Sequence, residues 1–220
     1  YARFHIVEFR GFERFAQGRF YWEMPVLIQR LCGICPVSHH LCAAKATDVI
    51  VGADKIPVTA EKMRRLMHFG QTFQSHVLHF FHLCSPDFLF GFDSDPAMRN
   101  VIGVAKTNPE LAKMAILMRK YGQEVIKATA GKKIHGTGAI PGGINKNLTI
   151  EERDYLKKDV DQMVQWSIDG LELFKKVLHE NLDYLVGFAA FDSNHLSLVR
   201  ADGCLDIYDG VLRSKAADGK

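Results

Sequence analysis

The sequence predicts a mainly α-helical protein, a bundle of long helices with a small β portion, and three observations carry that expectation. Segments with helical apolar periodicity run from Thr59 to about Cys84, from Asn108 to about Thr129 and from Thr149 to about Leu185. Each opens on a residue type that can start a helix. A Gly/Pro-rich stretch from Gly131 to Gly143 and an Asp-Gly tail from Asp202 to Gly219 read as loops and short hairpins beside such a bundle.

Taken in order, Phe4 to Phe9 alternates apolar and polar residues and reads as a short strand leading into a turn at Arg10-Gly11. Pro36 suits a first helical turn, so a helix should begin there and carry His39, His40 and the stretch Cys42 to Val51. Thr59-Ala-Glu61 opens the next helix, Asn108 caps another, and Thr149-Ile-Glu-Glu152 has the spacing of a capping box. The expected organisation is one domain over 1–220: strand, turn and cysteine motif in 1–57, helical bundle in 58–200, and a short hairpin or loop in 201–220.

With 220 residues, 47% of them apolar, the chain can fill a substantial core. Lys and Arg number 28 against 25 Asp and Glu, and the charges are interspersed, so no basic face argues for nucleic acid or an anionic membrane. The longest apolar runs, such as Asp183 to Phe191, fall well short of the roughly 20 residues that cross a bilayer. Five cysteines, two of them in a metal-type motif, and no secretory signal speak against a disulfide framework and for a reducing cytoplasm.

Cys32-Gly-Ile-Cys35 is the stretch with the most chemical content. Two thiols at that spacing can hold one soft ion such as nickel, iron, copper(I) or zinc, and the same spacing also serves a redox dithiol. Spacing alone leaves both open. Arg30 precedes the pair, and His39 follows four residues after Cys35, one helical turn on.

Read with its surroundings, Arg30-Leu-Cys32-Gly33-Ile-Cys35-Pro-Val-Ser-His39 resembles the first cysteine motif, RxCGxCxxxH, of nickel–iron hydrogenase large subunits. Arg10-Gly11-Phe12-Glu13 resembles that family's RGxE element, followed by Gly18-Arg19. Gln74-Ser75-His76-Val-Leu78-His79-Phe80-Phe81-His82-Leu83 resembles its SHxLHFxHL helix, and Lys133-Ile-His135 with Pro141-Gly142-Gly143 its histidine and PGG turn. The run from Ser85-Pro86-Asp87 to Gly91-Phe-Asp93-Ser-Asp95-Pro96 is most similar to the cytoplasmic, NAD-coupled branch.

The resemblance implies reversible heterolytic cleavage of hydrogen at a Ni-Fe centre whose iron carries carbon monoxide and cyanide. It implies that Cys32 is a terminal nickel ligand and that Cys35 bridges nickel and iron. Glu13 becomes the candidate proton carrier, where the residues alone would allow a surface glutamate beside Arg14. His39 is implied to hydrogen-bond the Cys35 sulfur; otherwise it is a polar helix histidine. Arg30 belongs to the same surroundings or pairs with a carboxylate. Gly33 permits close backbone approach, as glycine in any tight CxxC turn would.

The implied partners are a small subunit with an iron-sulfur cluster and a diaphorase module that binds FMN and NAD, because the chain has no four-cysteine cluster pattern and no GxGxxG fingerprint. Magnesium is implied near the C-terminal half. Neither nucleic acid nor membrane is expected.

The family completes its site with a second pair, DPCxxC, near the end of a chain roughly twice this long. Here Cys204 lies in Asp202-Gly203-Cys204-Leu205-Asp206-Ile207, with isoleucine where the second thiol belongs, and is not the missing ligand. The EGH element before Tyr1 and the arginine segment near the diatomic ligands are likewise missing, so the sequence reads as an N-terminal half. Such a piece is expected to expose apolar surface and to bind metal weakly when isolated.

Rival readings are a deazaflavin- or sulfur-linked hydrogenase, a non-catalytic hydrogenase-derived subunit of an electron-transfer complex, and a structural zinc domain. His68, His79 and His82 lie within about 60° on a helical wheel, but among Phe73, Leu78, Phe80 and Phe81 they read as core histidines. Cys42, Cys84 and Cys204 read as small buried apolar residues.

Overall fold

The computed structural model describes every residue except Tyr1, Ala2, Phe4, Ile6, Glu8, Phe9, Asp54, Ala189, Asp218 and Lys220. The strand expected over 4–9 falls largely on these and lies outside the described residues. The mainly helical architecture with a small β portion is what forms. Where the sequence reading takes 1–220 as one domain, the chain divides into two compact units, Tyr1–Ser75 with Gly122–Arg153 and His76–Tyr121 with Asp154–Lys220.

The helices are α1 (Gly11–Ala16), α2 (Met24–Leu27), α3 (Pro36–Ile50), α4 (Val58–Leu78), α5 (Ser85–Phe90), α6 (Val101–Thr107), α7 (Pro109–Ala130), α8 (Ile150–Lys157), α9 (Val160–Glu180) and α10 (Leu182–Gly187). Among the described residues there are two antiparallel hairpins: β1 (Ala139–Ile140) with β2 (Gly143–Ile144), and β3 (His195–Val199) with β4 (Val211–Lys215).

In the first unit, α3 begins at Pro36, where the missing N–H costs nothing. It buries Val37, His40, Leu41, Ala44, Thr47 and Asp48, a stripe at helical spacing. α4 and α7 approach closely because glycines face the contact. A Cβ on Gly70 would stand 2.6 Å from Val125 Cγ1, and one on Gly122 2.6 Å from Gln74 Cβ. Met67 is fully buried and Ile126 2% exposed, and each such side chain contributes about 1.5–3 kcal/mol.

Buried polar groups tie the β1–β2 hairpin to this core. Arg64 donates from Nη1 to Asp48 Oδ2 at 2.6 Å and from Nη2 to Asp48 Oδ1 at 3.1 Å. The same guanidinium reaches the carbonyls of Ile140 at 2.8 Å and Gly143 at 3.0 Å, while Gly142 N donates to Asp48 Oδ1 at 2.7 Å. Arg64 is only 1% exposed, and its charge is tolerated because each face of the fork meets an acceptor. His40 bridges two further segments: Ala139 N donates to Nε2 at 2.9 Å, so Nδ1 carries the proton and donates to the Pro25 carbonyl at 2.6 Å. Burial lowers the His40 pKa, in keeping with a neutral ring.

In the second unit, the helix begun by α4 widens into a π segment over His79–Cys84. Pro86 explains the widening, since it has no N–H to offer the carbonyl one turn back, and Ser85 Oγ donates to the Phe81 carbonyl at 2.6 Å. Phe80 packs against Phe88 and Phe174 with ring centroids 5.1 and 6.0 Å apart. Gly170 of α9 faces the Phe81 ring, 2.9 Å from where its Cβ would be. Asn100 caps α6, accepting from Ile102 N at 3.0 Å and Gly103 N at 3.1 Å.

The capping box forms as expected: Glu152 N donates to Thr149 Oγ1 at 3.1 Å and Thr149 N to Glu152 Oε2 at 3.0 Å. The single helix expected from Thr149 to about Leu185 is instead three. A tightened turn at Lys158–Asp159, with Asp159 N bonded to the Leu156 carbonyl, ends α8, and Asn181 separates α9 from α10. The cysteines outside the motif also differ from expectation. Cys42 and Cys204 are exposed and Cys84 is half-buried, because Cys42 sits on the outer face of α3 and Cys204 in the turn-rich β3–β4 connection.

Along α9, Val160, Val164, Ile168, Leu171 and Phe174 form an exposed apolar stripe. Among the described residues, no helix is long and apolar enough to cross a membrane.

Candidate metal centre

A 3₁₀ turn over Ile28–Leu31 delivers the chain to Cys32, which is extended with φ −143° and ψ 130°. Gly33 and Ile34 form the bend, and Cys35 leads directly into α3. Such a turn puts both thiols on one side of the helix start, and Cys35 N donates to Cys32 Sγ at 3.3 Å. One turn into α3, His39 comes alongside. The ligand atoms of Cys32, Cys35 and His39 lie within 4.8 Å of one another.

That spacing fits a single ion. Two thiolates each about 2.3 Å from one metal stand at most about 4.6 Å apart. Two soft sulfurs and an imidazole suit nickel, iron, copper or zinc, not magnesium or calcium. A Cβ at Gly33 would meet nothing, so no close neighbour within this chain requires glycine there.

The two thiols are not equivalent. The hydrogen bonds from Cys35, through its side chain and its backbone N–H, lower the Cys32 pKa. Cys35 is pushed up to about 11, first by burial and then by its hydrogen bond and charge interaction with Cys32. Thiolates are the ligands, so a metal ion binding here releases protons from the pair.

The backbone of the loop is held from two directions. Gln71 and Gln74 of α4 both donate through Nε2 to the Ile34 carbonyl, at 3.0 and 3.2 Å. His135 Nε2 lies 3.2 Å from the Cys32 carbonyl, and His135 itself sits at φ 54°, a left-handed conformation that non-glycine residues rarely adopt.

Of the residues singled out from sequence, Cys32, Cys35 and His39 come together. Glu13 is not in that group; it is exposed and pairs with Arg10 Nη2 at 2.6 Å. Arg30 is also exposed. Among the described residues, His68, His79 and His82 form no comparable cluster. From sequence, Gln71, Gln74 and His40 carry no site role, although Gln74 opens the helix motif and His40 lies on the helix after Pro36. A signal was available, since amides three residues apart in a helix that also buries Met67 need buried partners.

Residues 10–98 match the Nickel-dependent hydrogenase family. The chain is 48% identical, over 96% of its length and 46% of the relative's, to the NAD-reducing hydrogenase HoxS subunit beta of Cupriavidus necator. It is 45% identical, over its whole length and 52% of the relative's, to a chain of the vhu F420-non-reducing hydrogenase of Methanocaldococcus jannaschii. The crystal structure of an NAD+-reducing [NiFe]-hydrogenase in the H2-reduced state superposes with a TM-score of 0.93 and 56% identity, covering 98% of this chain and 48% of that one. The chain thus spans about half the length of the relatives it matches. It belongs to the nickel-dependent hydrogenase family.

Proposed function

We propose that Cys32 and Cys35 hold a Ni-Fe centre at which the whole protein cleaves hydrogen reversibly into protons and electrons. The observation that carries this reading is the convergence of two thiols and an imidazole within 4.8 Å, inside a segment that matches a nickel-dependent family. When bound, the centre supplies the redox and Lewis-acid chemistry that polarises hydrogen, with carbon monoxide and cyanide on its iron.

This chain's residues supply the rest. As thiolates, Cys32 would be a nickel ligand and Cys35 a ligand of both metals, supplying the soft, electron-rich sulfur that the redox chemistry needs. His39, close to both sulfurs, donates a hydrogen bond to Cys35 and so moderates the charge on the bridge. Glu13, paired with Arg10, would act as the carboxylate that takes up the proton released on hydrogen cleavage and passes it to solvent, onto which it opens. Arg30 adds positive charge beside the loop.

Electrons leave through a small subunit with an iron-sulfur cluster and then a diaphorase module carrying FMN and NAD. Magnesium belongs to the part of the large subunit beyond the matched half. The setting is the cytoplasm, where reduced thiols persist. The NAD-reducing relatives support this acceptor, while the Methanocaldococcus relative, nearly as similar, supports a second reading with a different acceptor.

The test is metal analysis and infrared spectroscopy of the natively purified complex, followed by hydrogen-dependent NAD reduction. Nickel, iron and bands of iron-bound carbon monoxide and cyanide are expected. Zinc, or no metal, would overturn the hydrogenase reading. Normal hydrogen uptake with an artificial acceptor but no NADH would replace NAD by another acceptor.

A further inference from the structure

We propose that Gln71 and Gln74 are positioning residues that aim the backbone N–H of Cys35 at the Cys32 sulfur. The inference rests on the reading of Cys32 as a metal ligand, and adds residues that act on it from outside the ligand set.

The argument starts from the planarity of the peptide bond. The Ile34 carbonyl and the Cys35 N–H belong to one rigid unit, and in a trans peptide they point in opposite directions. Whatever holds the carbonyl therefore fixes where the N–H points. Here the carbonyl accepts two hydrogen bonds, from Gln71 Nε2 at 3.0 Å and Gln74 Nε2 at 3.2 Å, which uses both of its lone pairs. At the far side of the same unit, Cys35 N stands 3.3 Å from Cys32 Sγ.

The glutamines are suited to hold a fixed direction. They are 2% and 5% exposed and lie one turn apart on α4. Gly122 of α7 leaves the room that Gln74 occupies, so the helix carrying both amides is locked against its neighbour. Two donors on a carbonyl also polarise its peptide, which strengthens the N–H as a donor to sulfur. Such a bond withdraws electron density from a thiolate and so adjusts the metal it binds.

The decisive experiment uses the full-length complex with Gln71→Met/Gln74→Met and each single change, since methionine keeps the length and loses the amide. Nickel and iron content, thermal unfolding, the nickel electron paramagnetic resonance spectrum and the infrared bands are measured, with hydrogen–deuterium exchange as the activity. A shifted spectrum at retained metal content is expected, with exchange reduced about tenfold in the double variant and smaller shifts in the singles. If the double variant does not assemble, the single variants decide by the same spectra. Unshifted spectra and parental exchange in every variant that carries nickel would overturn the proposal while leaving the metal reading intact. Absence of nickel from the parent complex would overturn that reading itself.

Discussion

The loop bearing Cys32 and Cys35 and the outer face of α9 both meet solvent, yet they are built in opposite ways. The thiol loop is held through its backbone by buried polar side chains, Gln71 and Gln74 on one carbonyl and His135 on another. Behind it, Arg64 with Asp48 and the bridging His40 fix the hairpin and the helix start. On α9, Val164, Ile168 and Leu171 are 53, 47 and 51% exposed, and only helical periodicity aligns them. A donor set for a metal needs directions fixed to a few tenths of an ångström, which saturated hydrogen bonds provide. An apolar stripe needs only area.

Several changes should break or sharpen that contrast. The largest effect belongs to the thiols: Cys32→Ser or Cys35→Ser should abolish nickel binding and hydrogen–deuterium exchange, as measured by metal analysis and mass spectrometry of the gas. Next, Glu13→Gln should keep the metal and reduce exchange by about a hundredfold or more, the usual share of a positioned proton carrier. Exchange at the parental rate would remove Glu13 from the pathway.

Breaking the polar scaffold acts on stability. Arg64→Met leaves Asp48 buried without its counter-charge and should cost about 3–5 kcal/mol in chemical denaturation. His40 gives a pH signature. Its folded pKa is lowered, so the unfolded chain takes up the proton first, and the stability present above about pH 6.5 declines as pH falls toward the folded value. The thermal midpoint should fall between pH 7.5 and 5.5 less steeply in His40→Gln than in the parent. Ile168→Lys on α9 is expected to change stability by less than about 0.5 kcal/mol, and a large loss would show that the stripe is already packed.

How much of this was legible in the sequence depends on the range of the interaction. The capping box at Thr149 and the helix start at Pro36 are local, and each formed where turn and cap chemistry placed it, whereas strand β3 (His195–Val199) lies in the stretch that the sequence assigns to the helical bundle. The division of the last long helix was not legible, because the Lys158–Asp159 turn interrupts a periodicity that continues on both sides. The exposure of Cys42 and Cys204 is not legible in the sequence, because cysteine is usually buried and a residue type carries no information about which side of its helix or turn faces the core.

The same distinction governs the site. Cys32, Cys35 and His39 lie within eight positions of one another, so spacing and one helical turn suffice to bring them together. By itself the sequence determined the thiol pair, the helix that follows it and the family to which the chain belongs. Only the tertiary structure decided what holds the pair in place. Gln71, Gln74 and His135 reach the loop from 37, 40 and 103 residues away, and no local pattern encodes a meeting that depends on how closely α4 and α7 can pack.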